Sequence, residues 1–510
     1  MNEAEKSGRE KFLSALEQYE ILCYEDLKPY EGEIVYSPRH IKKMARIVRS
    51  AASPIHFPDR RVMEAIGKSA AACIIVCALA AGGVATVEAI QNEIWNVNTM
   101  VTENVPEYTL NASKNEYTVT GFGTVKGDTL VIPSEYNGRP VTAIGESAFA
   151  GNTTLKKVVI SEGVRKIGIS AFEYSSVEEV VFPESLEHIG AYAFYKCEKI
   201  TEISVGRNIR EISEGAFLEC TSLRRVSVNN TESDVKIGNE AFRGCTALEE
   251  ITFAGNVKSA GAYAFTDCLS LGSIYMNGVS SLGYGAFRHC FALETAVITG
   301  GIAAVPDYAF ENCVLLSRVS LPSGVTSIGE RAFSGCSSLT YMEIPSGVTD
   351  IGDYAFAESD LREISLPDGL ETVRRGVFYK CENLQRVTLS GSPDKIGDYA
   401  FYGCGKLYGV NIPEGVKLIG DYAFAECPWI REVRLPESTE ELENSVFYGC
   451  ERLESFYIPE GIEYIGISVF GGNMPRLTQI TYGGTADEWR KVKKGEDLGG
   501  DKLKVICLKG

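Results

Sequence analysis

The sequence predicts a repeat solenoid, a coil of short parallel strands joined by irregular and helical turns. Three observations carry this. Fifteen phenylalanines recur at a step of 22 or 23 residues, with one step of 25: Phe149, Phe172, Phe194, Phe217, Phe242, Phe265, Phe287, Phe310, Phe333, Phe356, Phe378, Phe401, Phe424, Phe447 and Phe470. Around each, the other apolar residues return in the same places. Eleven of the 15 cysteines stand three residues after a repeat Phe. Self-similarity at such a period marks a stack of units, each touching only its neighbours.

The unit from Pro322 to Ile344 shows why each element forms. Leu339, Met342 and Ile344 are apolar, and Met342 and Ile344 alternate with Glu343 as in a half-buried strand. Pro345 stops that strand, because it has no amide donor and a fixed φ. Gly347 turns the chain, Val348 and Ile351 begin a second short extended piece, and Gly352 ends it. Asp353 to Phe356 is too short for a full helix and reads as a helical turn. One such unit cannot bury its own apolar face, whereas stacked copies form a parallel ladder roughly 70 Å long at ~4.8 Å per strand.

The pattern IGxxAFxxCxxLxxφxφP resembles the BspA-like leucine-rich repeats, also called the Treponema pallidum type. The match runs from about Tyr117 to Tyr482. Tyr117–Phe149 is similar to the opening segment of such arrays, and Tyr482–Cys507 to a common ending. The resemblance implies a right-handed superhelix of short parallel strands. It also implies a surface protein of an anaerobic bacterium or a protist, acting in adhesion or protein binding. On this reading 117–482 is an array of about 15 units and 483–510 its C-terminal cap.

The cysteines Cys197, Cys220, Cys245, Cys268, Cys290, Cys313, Cys336, Cys381, Cys404, Cys427 and Cys450 invite a disulfide reading, but their regular position argues for small buried apolar residues under a turn. After Phe172 and Phe356 the turn is one residue shorter, and there Ser175 and Ser359 replace the cysteine. The thiol therefore belongs to the geometry of the longer turn. No CxxC pair or interleaved histidine suggests metal.

Ser69 to Val87 is a run of 19 residues without a charge, long enough to cross a bilayer core. Before it lie Arg39, Lys42, Lys43, Arg46, Arg49, Arg60, Arg61 and Lys68; after it come Glu88 and Glu93. Positive flanks stay cytoplasmic, so residues 1–68 are expected inside the cell, 69–87 as a single transmembrane helix, 88–116 as a stalk and the repeats outside. Residues 1–68 read as short helices, from Lys11 to Cys23 and from Pro38 to Ala51. The stretch from Tyr36 through the apolar run is similar to the membrane-proximal part of some clostridial-type proteins, among them anti-sigma regulators. The net charge of −18 falls almost wholly on the part beyond residue 68, which argues against nucleic acid as a partner.

Catalytic chemistry finds no support. The four histidines form no Ser/His/Asp or Cys/His arrangement, and HExxH, Walker-type and EF-hand motifs are absent. No enzyme, cofactor or metal site is expected. Tyr192, Tyr263, Tyr308, Tyr354, Tyr399 and Tyr422 all stand two residues before a repeat Phe, and Asp307, Asp353, Asp398 and Asp421 precede four of them. In a stack they fall into two rows, a candidate binding stripe. The reading preferred to this one is that the rings merely stack and cover the ridge between units. The expected function is a single-pass cell-surface array that binds a protein on host or neighbouring cells. The alternative is a transmembrane sensor that signals to a cytoplasmic partner.

Overall fold

The computed structural model describes residues 106–125, 127–496, 498 and 503–509. The helices expected in 1–68 and the apolar run 69–87 lie outside the described residues. Among the described residues no helix is long and apolar enough to cross a membrane.

The chain winds as a solenoid in which each turn contributes two short strands. One set begins at Thr129–Ile132 and Lys157–Ile160 and ends at Lys504–Cys507; the other runs from Arg139–Ile144 through Lys166–Ile167 to Lys493–Lys494. Both sets pair in parallel between neighbouring turns, with breaks at several places, and equivalent residues face one another along most of them: Glu202, Ile203, Ser204 and Val205 face Arg225, Val226, Ser227 and Val228. Ile203 and Val205 are buried while Glu202 and Ser204 are exposed, the alternation expected of a half-buried strand. In the unit Pro322–Ile344 the burial alternates as expected, but Tyr341 to Ile344 pair with neither neighbouring strand.

Every repeat Phe is buried. Fourteen of them, Phe149 to Phe447, form one continuous face-to-face stack with centroids 5.0–5.7 Å apart. The column stops where Phe456 inserts edge-on between Phe447 and Phe470.

The turn around each Phe is not helical, which corrects the expectation. In all fifteen units the residues two before and two after the Phe have φ between +50° and +78°, the left-handed region. Alternate amides of this turn bond to the next unit: Tyr192 N–H to Glu214 C=O, Phe194 N–H to Ala216 C=O and Lys196 N–H to Leu218 C=O, at 2.8–2.9 Å. The intervening ones close locally, as Tyr195 N–H to Tyr192 C=O at 3.0 Å and Cys197 N–H to Phe194 C=O at 3.0 Å. Those local bonds imitate a helical turn in sequence terms; the others make a third inter-turn ladder. The one described α-helix is Ala486–Lys491, started by a capping box of Thr485 and Glu488.

The eleven cysteines are free and buried, as expected. Each thiol also points at the Phe carbonyl of the preceding unit, with Sγ–O distances of 3.0–3.3 Å. In ten of the eleven cases, all but Phe424, that carbonyl already accepts the N–H of its own unit's cysteine, or of Ser175 and Ser359 in the two shorter turns. The thiol fills the second lone pair, so it is a buried donor as well as an apolar filler. Burial pushes the Cys197 thiol up to about 11 and those of Cys245 and Cys381 to about 12, so they stay protonated. A thiol reagent on the native chain is therefore expected to spare all eleven and to reach the half-buried Cys507, until denaturant releases them. Eleven reactive thiols in the folded protein would refute this packing.

Both ends close with a degenerate turn. Glu107–Leu110, within the segment assigned above to a stalk, pairs antiparallel with Tyr117–Gly121, and Tyr108, Tyr117 and Tyr136 cluster at 4.0–5.9 Å over the first turn. At the far end Tyr482 is buried, with Trp489 of the helix 5.1 Å away. The longest unit gains its extra residues near Asn229–Asp234. There the buried Asn230 ties the loop down, donating to Ser233 and Asn256 carbonyls and accepting from Gly255 N–H.

Candidate binding surface

The six tyrosines of the stripe occupy the left-handed position before the Phe, with φ of +54° to +59°. They line one ridge of the coil, and all are half-buried. Most rings lie over the next unit. A Cβ built on Gly215 would sit 2.5 Å from the Tyr192 ring, one on Gly376 2.3 Å from Tyr354, and one on Gly285 3.1 Å from Tyr263. Glycine at these three positions leaves room for the ring above it, and its positive φ costs nothing there. Where no glycine follows, the ring finds another partner. Tyr399 stacks on Tyr422 at 5.2 Å, and the Tyr308 hydroxyl donates to Glu330 at 2.9 Å. Tyr192 likewise donates to Glu214 at 2.6 Å, a bond that with burial and nearby carboxylates raises its hydroxyl to about 12. The tyrosines thus cover the ridge between units, and their outer edges remain at the surface.

The aspartate row divides. Asp307 accepts Glu330 N–H at 2.7 Å and Asp421 accepts Asn444 N–H at 2.8 Å, so these carboxylates cap the next turn. Asn239 and Asn444 do the same in their own units, accepting from Ala262 and Ile467 N–H at 2.9 Å. Asp353 and Asp398 line an open cleft of about 760 Å³ together with Arg374, Arg375 and Lys395.

A second row was missed. Tyr195, Tyr379 and Tyr402 stand one residue after a repeat Phe and join the ridge: Tyr195 meets Tyr192 at 6.1 Å, Tyr379 meets Tyr354 at 5.8 Å, and Tyr379 stacks on Tyr402 at 5.2 Å. Basic residues lie over the rings, Arg243 on Tyr263, Arg288 on Tyr308, Arg331 on Tyr354 and Arg375 on Tyr399, at 5.3–5.7 Å. Three of these, Arg243, Arg288 and Arg331, fall one after or two before a Phe, so the same period could have revealed them. The richest stretch gathers Tyr354, Tyr379, Tyr399, Tyr402 and Tyr422 from four successive units.

The two described histidines, His188 and His289, stand apart from one another. His188 lies on a strand, 3.7 Å from Glu211, while His289 sits in a Phe turn, 2.9 Å from Asp267. Among the described residues no group of His, Cys, Asp and Glu is placed to hold a metal ion.

The repeats match the BspA type leucine rich repeat region over residues 129–236, 231–318, 303–427 and 371–491. The chain belongs to this family. Its BspA-type coil is similar to a leucine-rich repeat protein from Bacteroides ovatus, at 25% identity over 79% of this chain and 98% of that one, with a TM-score of 0.58. A leucine rich cell surface protein from Faecalibacterium prausnitzii is 24% identical over 76% of this chain and 95% of that one, TM-score 0.35. The T. pallidum leucine rich repeat protein is 21% identical over 59% and 87%, TM-score 0.23. No curated protein matches the sequence. A BspA-type coil is a repeat scaffold.

Proposed function

We propose that this BspA-type protein is a single-pass cell-surface array that binds a protein on host or neighbouring cells along its tyrosine ridge. The observation that supports the reading is the gathering of Tyr354, Tyr379, Tyr399, Tyr402 and Tyr422 on one edge, under Arg331 and Arg375. Tyrosine and arginine dominate the energetics of protein interfaces. A rigid coil repeats such contacts at fixed spacing, so weak ones add through multivalency. The charge-free run 69–87 behind a basic flank supplies the anchor in this proposal.

Tyr399→Gly with Tyr422→Gly tests the ridge without straining the fold, since Gly215, Gly285 and Gly376 already hold this left-handed position. Cells displaying the full chain are expected to adhere to a monolayer of host or neighbouring cells, and the double variant to lose at least about tenfold in adhesion. Equal adhesion would remove the ridge from the proposal. Adhesion no greater than that of cells lacking the chain would remove the adhesin reading and leave the sensor. Protease treatment of intact cells should release the repeats while residues 1–68 stay protected; protected repeats would overturn the outward orientation.

A further inference from the structure

The two strand ladders are interrupted at several places, but in nearly all of them one carries on where the other lapses. The first set has no pairing between Glu179–Val181 and Glu202–Val205, nor between Gly409–Val410 and Glu432–Arg434, while the second set runs through both. The second lapses between Ser281–Leu282 and Ala304–Val305, where the first is continuous. Only around Phe356 do both fail. Tyr341 to Ile344 pair with neither Arg318–Ser320 nor Glu363–Leu366, and Asp350–Ile351 does not pair with Thr372–Val373. The Phe column is also widest here, at 5.7 Å between Phe356 and Phe378.

Sequence explains the gap. Four residues before the Phe, eleven of fifteen units carry glycine. A Cβ there would lie 2.2 Å from Ala262 N at Gly283, 2.4 Å from Glu330 N at Gly352 and 2.9 Å from Arg374 C at Gly397. A bare residue lets the units close up directly here, and its N–H bonds to the preceding strand, as Gly352 to Ile328 and Gly397 to Val373, both at 2.7 Å. Arg374 occupies it in the unit of Phe378 and makes no such bond to Ile351. Ser213 and Glu443 occupy it in two other units and keep the bond at 2.9 Å, and Pro306, which has no N–H to give, occupies it in a third where the first ladder runs on, so a side chain alone does not open the stack. Arg374 coincides with the shortened turn that follows Phe356.

The turn edge stays closed across the gap: Tyr354 N–H to Arg375 C=O, Phe356 N–H to Val377 C=O and Glu358 N–H to Tyr379 C=O measure 2.8–3.0 Å. The strand edge opens instead into the cleft of about 760 Å³ lined by Thr349, Asp350, Glu371, Thr372, Arg374 and Lys395. One ion pair spans it, Arg374 to Asp350 at 2.8 Å, with both side chains half-exposed. Such a half-exposed pair holds the edge only weakly, and less so as salt rises.

We infer that the coil carries a built-in joint between the turns of Phe356 and Phe378, pinned along the Phe edge and opening on the strand edge, with Arg374 and the shortened turn beside it together holding it apart. The two halves of the array bend about this joint, so contacts on either side of it engage a partner at different angles.

Amide hydrogen exchange on the full chain tests it. Residues 372–375 and 341–344 are expected to exchange at least about tenfold faster than their equivalents 395–398 and 386–389, and faster still in 0.5 M salt. Arg374→Gly restores the residue found in most units and is expected to slow exchange at 372–375 by about tenfold, leaving 395–398 unchanged. Equal protection of the two sets in the unaltered chain would overturn the joint. Unchanged exchange in Arg374→Gly would overturn the role of Arg374. These readings do not depend on whether the tyrosine ridge binds.

Discussion

Raising the pH from 9 toward 12 is expected to unfold the coil in a steep transition. Ten of the repeat thiols are held above their ordinary value of 9.0, in each case chiefly because burial disfavours the thiolate. Their folded-state values are raised, so the stability they confer is fully present below pH 9 and is lost as the pH climbs toward the folded value. In that window the unfolded chain releases protons that the folded chain retains. Each thiol then removes about 1.4 kcal/mol per pH unit, and ten acting together remove roughly 14 kcal/mol per unit. At roughly 0.05–0.15 kcal/mol per residue, an array of this size holds a few tens of kcal/mol. Its unfolding therefore falls above about pH 10. Circular dichroism under reducing conditions should lose the strand signal in step with the rise of thiolate absorbance. A coil intact at pH 11, with its thiols ionised, would show that they are not buried donors.

Phe242→Ala is expected to cost about 3–5 kcal/mol and to split unfolding into two steps. The ring is fully buried between Phe217 at 5.4 Å and Phe265 at 5.5 Å, so truncation leaves a cavity and removes two stacked contacts. Stability in a solenoid is the sum of unit terms and nearest-neighbour terms, so weakening both neighbours of one unit uncouples the turns on either side. Phe470→Ala is the comparison. That ring meets Phe456 edge-on at 4.8 Å and lies beyond the end of the column, so its loss should leave a single transition and a smaller cost. Urea unfolding followed by near-ultraviolet dichroism separates the outcomes. A single transition of unchanged midpoint for Phe242→Ala would mean the column does not couple the units.

The architecture was open to reading because each unit repeats one set of steric demands. Phe194 or Phe333 is apolar for the same reason in every turn, so the period exposes the core without any long-range information. The serines at 175 and 359 revealed the cysteine position as a matter of turn length, and both lie buried against the thiol of the next unit at 3.3 Å. The Phe turn was misread because its signals are local. Bonds such as Tyr195 N–H to Tyr192 C=O belong equally to a helical turn. The bonds that distinguish it, such as Phe194 N–H to Ala216 C=O, join residues 22 apart. The left-handed positions carry Tyr, Ser, Glu, Arg or Lys as readily as Gly, so composition gave no warning.

From residues alone came the stacked coil, its parallel strands, its buried Phe and Cys columns and the turns that close its ends, because all of these follow from which side chains recur and how far apart. Only the packed molecule decided what those residues do to their neighbours. Asp307 and Asp421 turned out to cap the following turn, Tyr192 and Tyr354 to cover a glycine in the next unit, and each thiol to complete the carbonyl of the unit before it. The missing closure at Arg374 belongs to the same kind, since it is a relation between two units that neither contains. Periodicity reports what each turn repeats, whereas hydrogen bonds and close approaches depend on the distance between turns, which is set only when they stack.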